Sequence, residues 1–266
     1  MTSLTSIEPS TLHLCAEWSV DPRPIYTAVD AAIGTQQKPN GLIPPHVDLV
    51  VSYLKVGSVF GESEWKAHCG EVGPAPNLPH NIEYILQSPC PAFPRKKLHE
   101  THTLVYIPST LNAKPLTLNS LGEIEKRYFP TTKTNDDKIS NFIVAELGDR
   151  SIEKSYWVLM TIDILRDSRN KNYVDQQTLV AELATKALAA YEVPRTLEAA
   201  VCHLTRYLSS LTSSTCFPFC DYTRSQESIK GQQPMVRYSP EKGLTLHFYH
   251  TSRVHYHTGV APLRRF

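Results

Sequence analysis

No stretch of this 266-residue sequence approaches the roughly 18 consecutive apolar residues that a membrane-crossing helix needs. The start, Met1-Thr-Ser-Leu-Thr-Ser-Ile-Glu8, lacks the basic and apolar regions of a secretory signal, so a soluble, cytoplasmic protein is expected. Charge of one sign is missing as well. The 27 Lys and Arg face 26 Asp and Glu, a net charge of +1, and no overall field favours nucleic acid or an anionic membrane. Neither is expected as a partner. Internal repeats, heptads, a paired-carboxylate motif and a Gly-x-Ser-x-Gly elbow are all absent, which removes solenoids, coiled coils and the α/β-hydrolase arrangement. The six cysteines, at 15, 69, 90, 202, 216 and 220, are too scattered for a disulfide framework in a chain of this length, and read as reduced thiols.

What is present suffices for a core: 41% of residues are hydrophobic and 20% charged, close to ordinary globular usage. Residues 1–43 carry Pro9, Asp21-Pro-Arg-Pro24 and Lys38-Pro-Asn-Gly41, turn and linker signals that predict a loosely packed segment before a single domain over 44–266. Pro44 and Pro45 can open a helix with Val47, Val50, Val51 and Leu54 on one face. Further helices are expected over 62–69, from Pro79 with Ile82, Ile85 and Leu86 inward, and over 117–126 with Leu118, Leu121 and Ile124 inward. Thr101–Ile107 and Ser155–Thr161 read as buried strands, and Thr131–Lys138 as a polar loop.

Asn172 followed by Asp175 resembles a helix N-cap, and Val180, Leu183, Ala187 and Tyr191 mark one face of the helix that follows. Pro194 opens another, with Leu197, Val201, Leu204 and Leu208 in register. The two are expected to form an αα-hairpin around Glu192-Val193 that buries both stripes together. From Met235 onward the pattern alternates, Leu244, Leu246 and Phe248 against Thr245, His247 and Tyr249, and Gly259–Leu263 is extended. Helices and strands are partly segregated. The expected class is therefore α+β, with a central αα-hairpin and a β-rich C-terminal portion.

Several groupings invite chemical readings. His99-Glu-Thr-His102 has paired imidazoles, but three residues apart rather than the four that place two ligands on one helix face, so it is a weak catalytic candidate and no metal is assigned to it. Cys216 and Cys220, with His247, His250, His255 and His257, offer ligand types for zinc without the usual two-residue spacing or a second cysteine pair. Cys69 and Cys202 each adjoin a histidine, His68 and His203, yet helix neighbours lie about 100° apart and do not face one another. The loop Arg166-Asp-Ser-Arg-Asn-Lys171 joins a buried strand to a helix N-terminus, where backbone N–H groups and basic side chains can receive an anion, with Ser168, Arg169, Asn170 and Lys171 as the candidates; the loop holds no glycine and is no phosphate-binding fingerprint. Leu263-Arg-Arg-Phe266 is expected to dock its phenylalanine on the core. No cofactor is implied.

Lys55-Val-Gly-Ser-Val-Phe-Gly-Glu-Ser-Glu-Trp65, His99-Glu-Thr-His102, Ser168-Arg-Asn-Lys171 with Gln176-Gln177, Tyr191-Glu-Val-Pro194, and Tyr222-Thr-Arg224 with Gln226-Glu227 together resemble an uncharacterised protein family of environmental, amoeba-associated chlamydiae. The resemblance covers residue 44 to the C-terminus and implies a bacterial origin without implying an activity. Gly259-Val-Ala261 and Leu263-Arg-Arg-Phe266 match the family's ending, with Pro262 and Arg265 as departures. Phe219-Cys220-Asp221 stands where the family has Asp-Pro-aromatic, and Ser225 where it has cysteine, which weakens a zinc site on Cys216 and Cys220.

Two functions follow as expectations. The first is a protein-interaction module of a bacterium, with secretion into a host cell left open, that meets an unidentified protein through the αα-hairpin face or the C-terminal sheet, where Tyr222, Arg224, Arg237 and Tyr238 are residue types that suit interfaces. The second is an enzyme for a small anionic or phosphorylated substrate, with Ser168–Lys171 holding the anion and His99 or His102 as base.

Overall fold

In the computed structural model, residues 59–128, 141–212, 221–239 and 242–266 are described, all within one compact unit, 45–266. The N-terminal segment 1–43, the helix expected from Pro44, the loop Thr131–Lys138, and Cys216 and Cys220 lie outside the described residues. The class is α+β, built on two separate sheets and a helix that touches both.

The first sheet takes its middle from the two apolar runs. β2 (His102–Ile107) is buried at all six positions and pairs antiparallel with β5 (Tyr156–Thr161), from His102 opposite Thr161 to Ile107 opposite Tyr156. A short β1 (Val59–Phe60) runs parallel to β2 on the outside. On the other flank, β11 (Leu263–Arg265) lies antiparallel between β5 and β6 (Tyr191–Glu192), giving the order β1-β2-β5-β11-β6. The indole and phenol groups of the inner strands reach out to backbone carbonyls: Trp157 Nε1 donates to Pro76 O at 2.8 Å and Tyr106 Oη to Gly73 O at 2.8 Å. The loop over this sheet is thus fixed by polar tips of buried aromatics.

Helices α1 (Glu62–His68), α2 (Ile82–Gln87) and α4 (Leu118–Tyr128) occupy the expected spans, with Trp65, Ile82, Ile85, Leu86, Leu121 and Ile124 buried as their spacing requires. A single helical turn, α3 (Leu98–Thr101), leads into β2, and α5 (Asn141–Leu147) packs near the second sheet. The hairpins β3 (Thr110–Leu111) and β4 (Lys114–Pro115) form a small ribbon.

The helix after Asn172 is α6 (Tyr173–Ala187), and Asn172 caps it by accepting the Asp175 N–H at 3.0 Å. It stops earlier than expected. Leu188 takes the left-handed conformation, φ 48 and ψ 40, and Tyr191 leaves the helix to enter β6. The αα-hairpin is therefore corrected: a strand intervenes between α6 and α7 (Thr196–Thr212), and the two helices do not share their stripes. Val180 and Leu183 of α6 join Tyr191, Val193 and Val260 in one cluster, while Leu197, Val201, Leu204 and Leu208 of α7 belong to the main core.

α7 is buried at every position from Thr196 to Thr205 because it meets β2 of the first sheet and β8 and β9 of the second. A helix enclosed this way buries its polar residues too, and each needs a partner. Glu198 has several: Tyr156 Oη donates to it at 2.5 Å, Arg265 through Nε and Nη2 at 2.8 and 3.0 Å, and the Arg195 N–H at 2.7 Å.

The second sheet is the β-rich C-terminal portion. β7 (Tyr222–Arg224), β8 (Gln232–Ser239) and β9 (Gly243–His250) are antiparallel, and β10 (Thr258–Gly259) adds parallel to β7. Val236, Tyr238, Leu244 and Leu246 share the face against α7, where Tyr238 stacks on Tyr207 with centroids 4.6 Å apart.

Candidate functional site

The opposite face of the second sheet carries Tyr222, Arg237, His247 and Tyr249, joined by the loop 251–257. Strand parity puts them there: Met235 opposes His247, Arg237 opposes Thr245, and Gln233 opposes Tyr249. The Arg237 guanidinium lies 4.5 Å over the Tyr222 ring, whose edge meets His247 at 5.6 Å. The Arg253 guanidinium lies 4.1 Å over Tyr249, which in turn contacts His255 at 5.3 Å, and His255 stacks on Tyr256 at 4.7 Å. The result is a half-exposed surface of rings and guanidinium groups. Asp221, at its edge, is taken by Arg169 (Nε at 2.8 Å) and His257 (3.3 Å). Burial, with the neighbouring His257 and Arg253 adding to it, lowers the pKa of His255 from the usual histidine range.

The four residues expected to form an interface divide between this face and the interior. Tyr222 and Arg237 stand on the surface array. Tyr238 is fully buried against α7. Arg224 is also fully buried; its guanidinium donates to Thr251 O at 3.2 Å and to Arg253 O, so it anchors the loop that presents Arg253 and His255. Burial lowers its pKa from the usual arginine value.

The loop expected to hold an anion is organised differently from its sequence reading. Ser168 is buried, donates to Leu165 O at 2.6 Å and accepts the Val260 N–H at 3.1 Å. Gly259 passes so close that a Cβ there would stand 2.4 Å from Ser168 Oγ. Arg169 is paired with Asp221, Asn170 donates its backbone N–H to His255 O at 3.2 Å in a left-handed conformation, and Lys171 is half-buried. The following helix end is filled by its own Asn172 and Asp175. The four residues do not converge.

The hydrogen bonds of His99 and His102 go to groups outside that loop. His99 Nδ1 lies 3.1 Å from Leu86 O. His102 is buried, with Nδ1 2.9 Å from Thr101 Oγ1 and Nε2 3.2 Å from Tyr191 Oη; burial lowers its pKa to about 3, which leaves it neutral in water near pH 7. Cys69 and Cys202 are buried free thiols, Cys69 pushed up to about 12 by burial and Cys202 well above the ordinary value for the same reason. Among the described residues, no group of three or more His, Cys, Asp and Glu is placed to hold a metal ion, and no helix is long and apolar enough to cross a membrane.

A feature that sequence reasoning missed is a cleft of about 420 Å³ between the 92–96 turn, the segment 162–169 that follows β5, and α7. Its walls include Phe93, Ile162 and Ile164, its charged groups are Lys96, Asp163, Arg166 and the paired Arg169 and Asp221, and α7 contributes His203. The sequence hints were the Cys202-His203 dipeptide and the anion loop, whose Arg166 and Arg169 line the cleft. Comparison of the chain with protein-family models, curated proteins and solved structures returns no match.

Proposed function

We propose that the chain is a protein-interaction module that receives an acidic segment of a partner protein, bacterial or host, on the ring-and-guanidinium face of the second sheet. The observation that carries this reading is the pair of stacked arginines, Arg237 on Tyr222 and Arg253 on Tyr249. A guanidinium held over a ring has already lost some of its rotamer freedom, while its terminal N–H groups can take a carboxylate. Asp221, the carboxylate at this surface, is engaged by Arg169 and His257, so charge complementarity favours an acidic partner. The buried Arg224 supports the same reading, since it fixes the loop carrying Arg253 before any partner arrives.

The test is fluorescence anisotropy of a labelled oligoglutamate peptide, with oligolysine and single-stranded DNA as competitors. Saturable, salt-sensitive binding is expected, weakened roughly tenfold or more in the R237A/R253A double variant. Preference for the DNA, or an affinity unchanged in the double variant, would overturn the proposal.

A further inference from the structure

The cleft beside β5 has the size of a small-molecule site, in the range of a few hundred Å³ that such ligands occupy, and it sets an apolar wall against charged side chains and one histidine. Two observations point to what would fill it. The first is His203, 6% exposed, whose Nε2 is buried with no hydrogen-bond partner among the described residues. Buried polar atoms left without a partner destabilise a fold and are rare enough in folded proteins to call for an explanation. Burial, with Arg206 adding to it, lowers the pKa of His203 to about 3, so the ring is neutral and keeps one lone-pair nitrogen and one N–H. A hydroxyl group can donate or accept, and so suits Nε2 in both tautomers.

The second observation is the charge of the lining. Arg169 and Asp221 neutralise one another, and Arg206 donates to Ile162 O at 2.9 Å. Among the described residues Lys96 and Arg166 have no ion-pair partner, nor does Asp163, which leaves a surplus of one positive charge around the cleft. That balance suits a monoanion better than a dianion. Phe93, Ile162 and Ile164 give it an apolar wall to lie against.

We infer that this cleft binds a small hydroxylated carboxylate, its carboxylate held by Lys96 and Arg166, its hydroxyl hydrogen-bonded to His203, and its carbon skeleton packed on Phe93, Ile162 and Ile164. The Arg169–Asp221 pair borders both this cleft and the ring-and-guanidinium face, but the site uses neither Arg237 nor Arg253 and does not rest on the interaction reading. It overlaps the expected anion loop at Arg166 and Arg169, but its cations are Lys96 and Arg166, and His203 takes the place of His99 or His102.

The full chain should be titrated calorimetrically with a series of hydroxy acids from glycolate to para-hydroxybenzoate, and with para-methoxybenzoate as the analogue that cannot donate. At least one hydroxy acid is expected to bind saturably, and para-hydroxybenzoate to bind at least about tenfold tighter than its methoxy analogue, since a site built around a hydrogen bond rejects the analogue lacking it. K96A/R166A, changes at the surface, should weaken binding by roughly tenfold or more. His203→Phe should erase the hydroxy-over-methoxy preference. If His203→Phe does not fold, the ring nitrogen-15 resonances of His203 in the unmodified protein carry the same test, moving with saturating para-hydroxybenzoate and not with para-methoxybenzoate. Failure of every hydroxy acid to bind, equal affinity for the two benzoates, or affinity unaffected by K96A/R166A would each overturn the inference.

Discussion

The two sheets solve the problem of buried polarity in opposite ways. In the first, Arg265 brings its charge to a buried carboxylate, Glu198, with Tyr156 and a backbone N–H completing the acceptor's shell. In the second, Arg224 is just as buried but gives its hydrogen bonds to the carbonyls of Thr251 and Arg253, with no carboxylate among its contacts. A buried ion pair ties two chain segments together and punishes loss of one member. An arginine on carbonyls instead organises a loop while retaining the full cost of desolvating its charge. The first sheet is thus built for cohesion, and the second holds a surface in a chosen shape.

Acid should strain this contrast most. His102, on the first sheet, and His203, on the helix between the sheets, are both held neutral by burial with pKa values of about 3, below the ordinary 6.5. The unfolded chain then binds more protons than the folded one between those values. Stability is complete above about pH 6.5 and falls as the pH drops toward 3, by up to about 1.4 kcal/mol per pH unit for each histidine. Urea titrations at pH 7 and pH 4.5 should differ by several kcal/mol; matching midpoints would show that neither imidazole is buried as described.

The next largest effect is expected from Arg265→Met, which strands the Glu198 carboxylate in the interior and should cost about 3 kcal/mol, measured as a lowered urea midpoint. Arg224→Met sharpens the comparison. It frees two carbonyls but also removes an unpaired buried charge, so its cost should be about 1 kcal/mol and clearly smaller than that of Arg265→Met. Its main consequence should be faster amide exchange in residues 251–257. Equal losses from the two substitutions would erase the distinction between the sheets.

Much of the fold was legible because it follows periodicity. β2, β5, α1, α2, α4 and the alternation of β9 all rest on apolar spacing that local sequence displays. The helix end at Leu188 was not, because the left-handed residue there is a leucine, 80% exposed, rather than the glycine that normally marks such a stop. With no stop visible, Tyr191 was counted into α6 and the strand between the helices was lost. Arg224 and Tyr238 were read as surface for a related reason. Residue type suggested exposure, whereas the second sheet is covered on one face by α7 and partly on the other by the loop 251–257. The cleft was only partly within reach: Arg166 and Arg169 lie in the expected anion loop, but Lys96 and His203 come from distant stretches that sequence spacing does not connect to it.

The place of β11 also bears on how the chain acquires its fold. Leu263–Arg265 enters between β5 and β6, so the middle of the first sheet stays open while everything between β6 and β11 is being synthesised and ordered. During that interval Val158–Met160 present an apolar strand edge with unmet N–H and C=O groups, the kind of edge that recruits other chains. Closing the sheet then requires a contact of long sequence separation, which is slow to form. The β5 edge of the first sheet is therefore protected only once Leu263–Arg265 has paired with it.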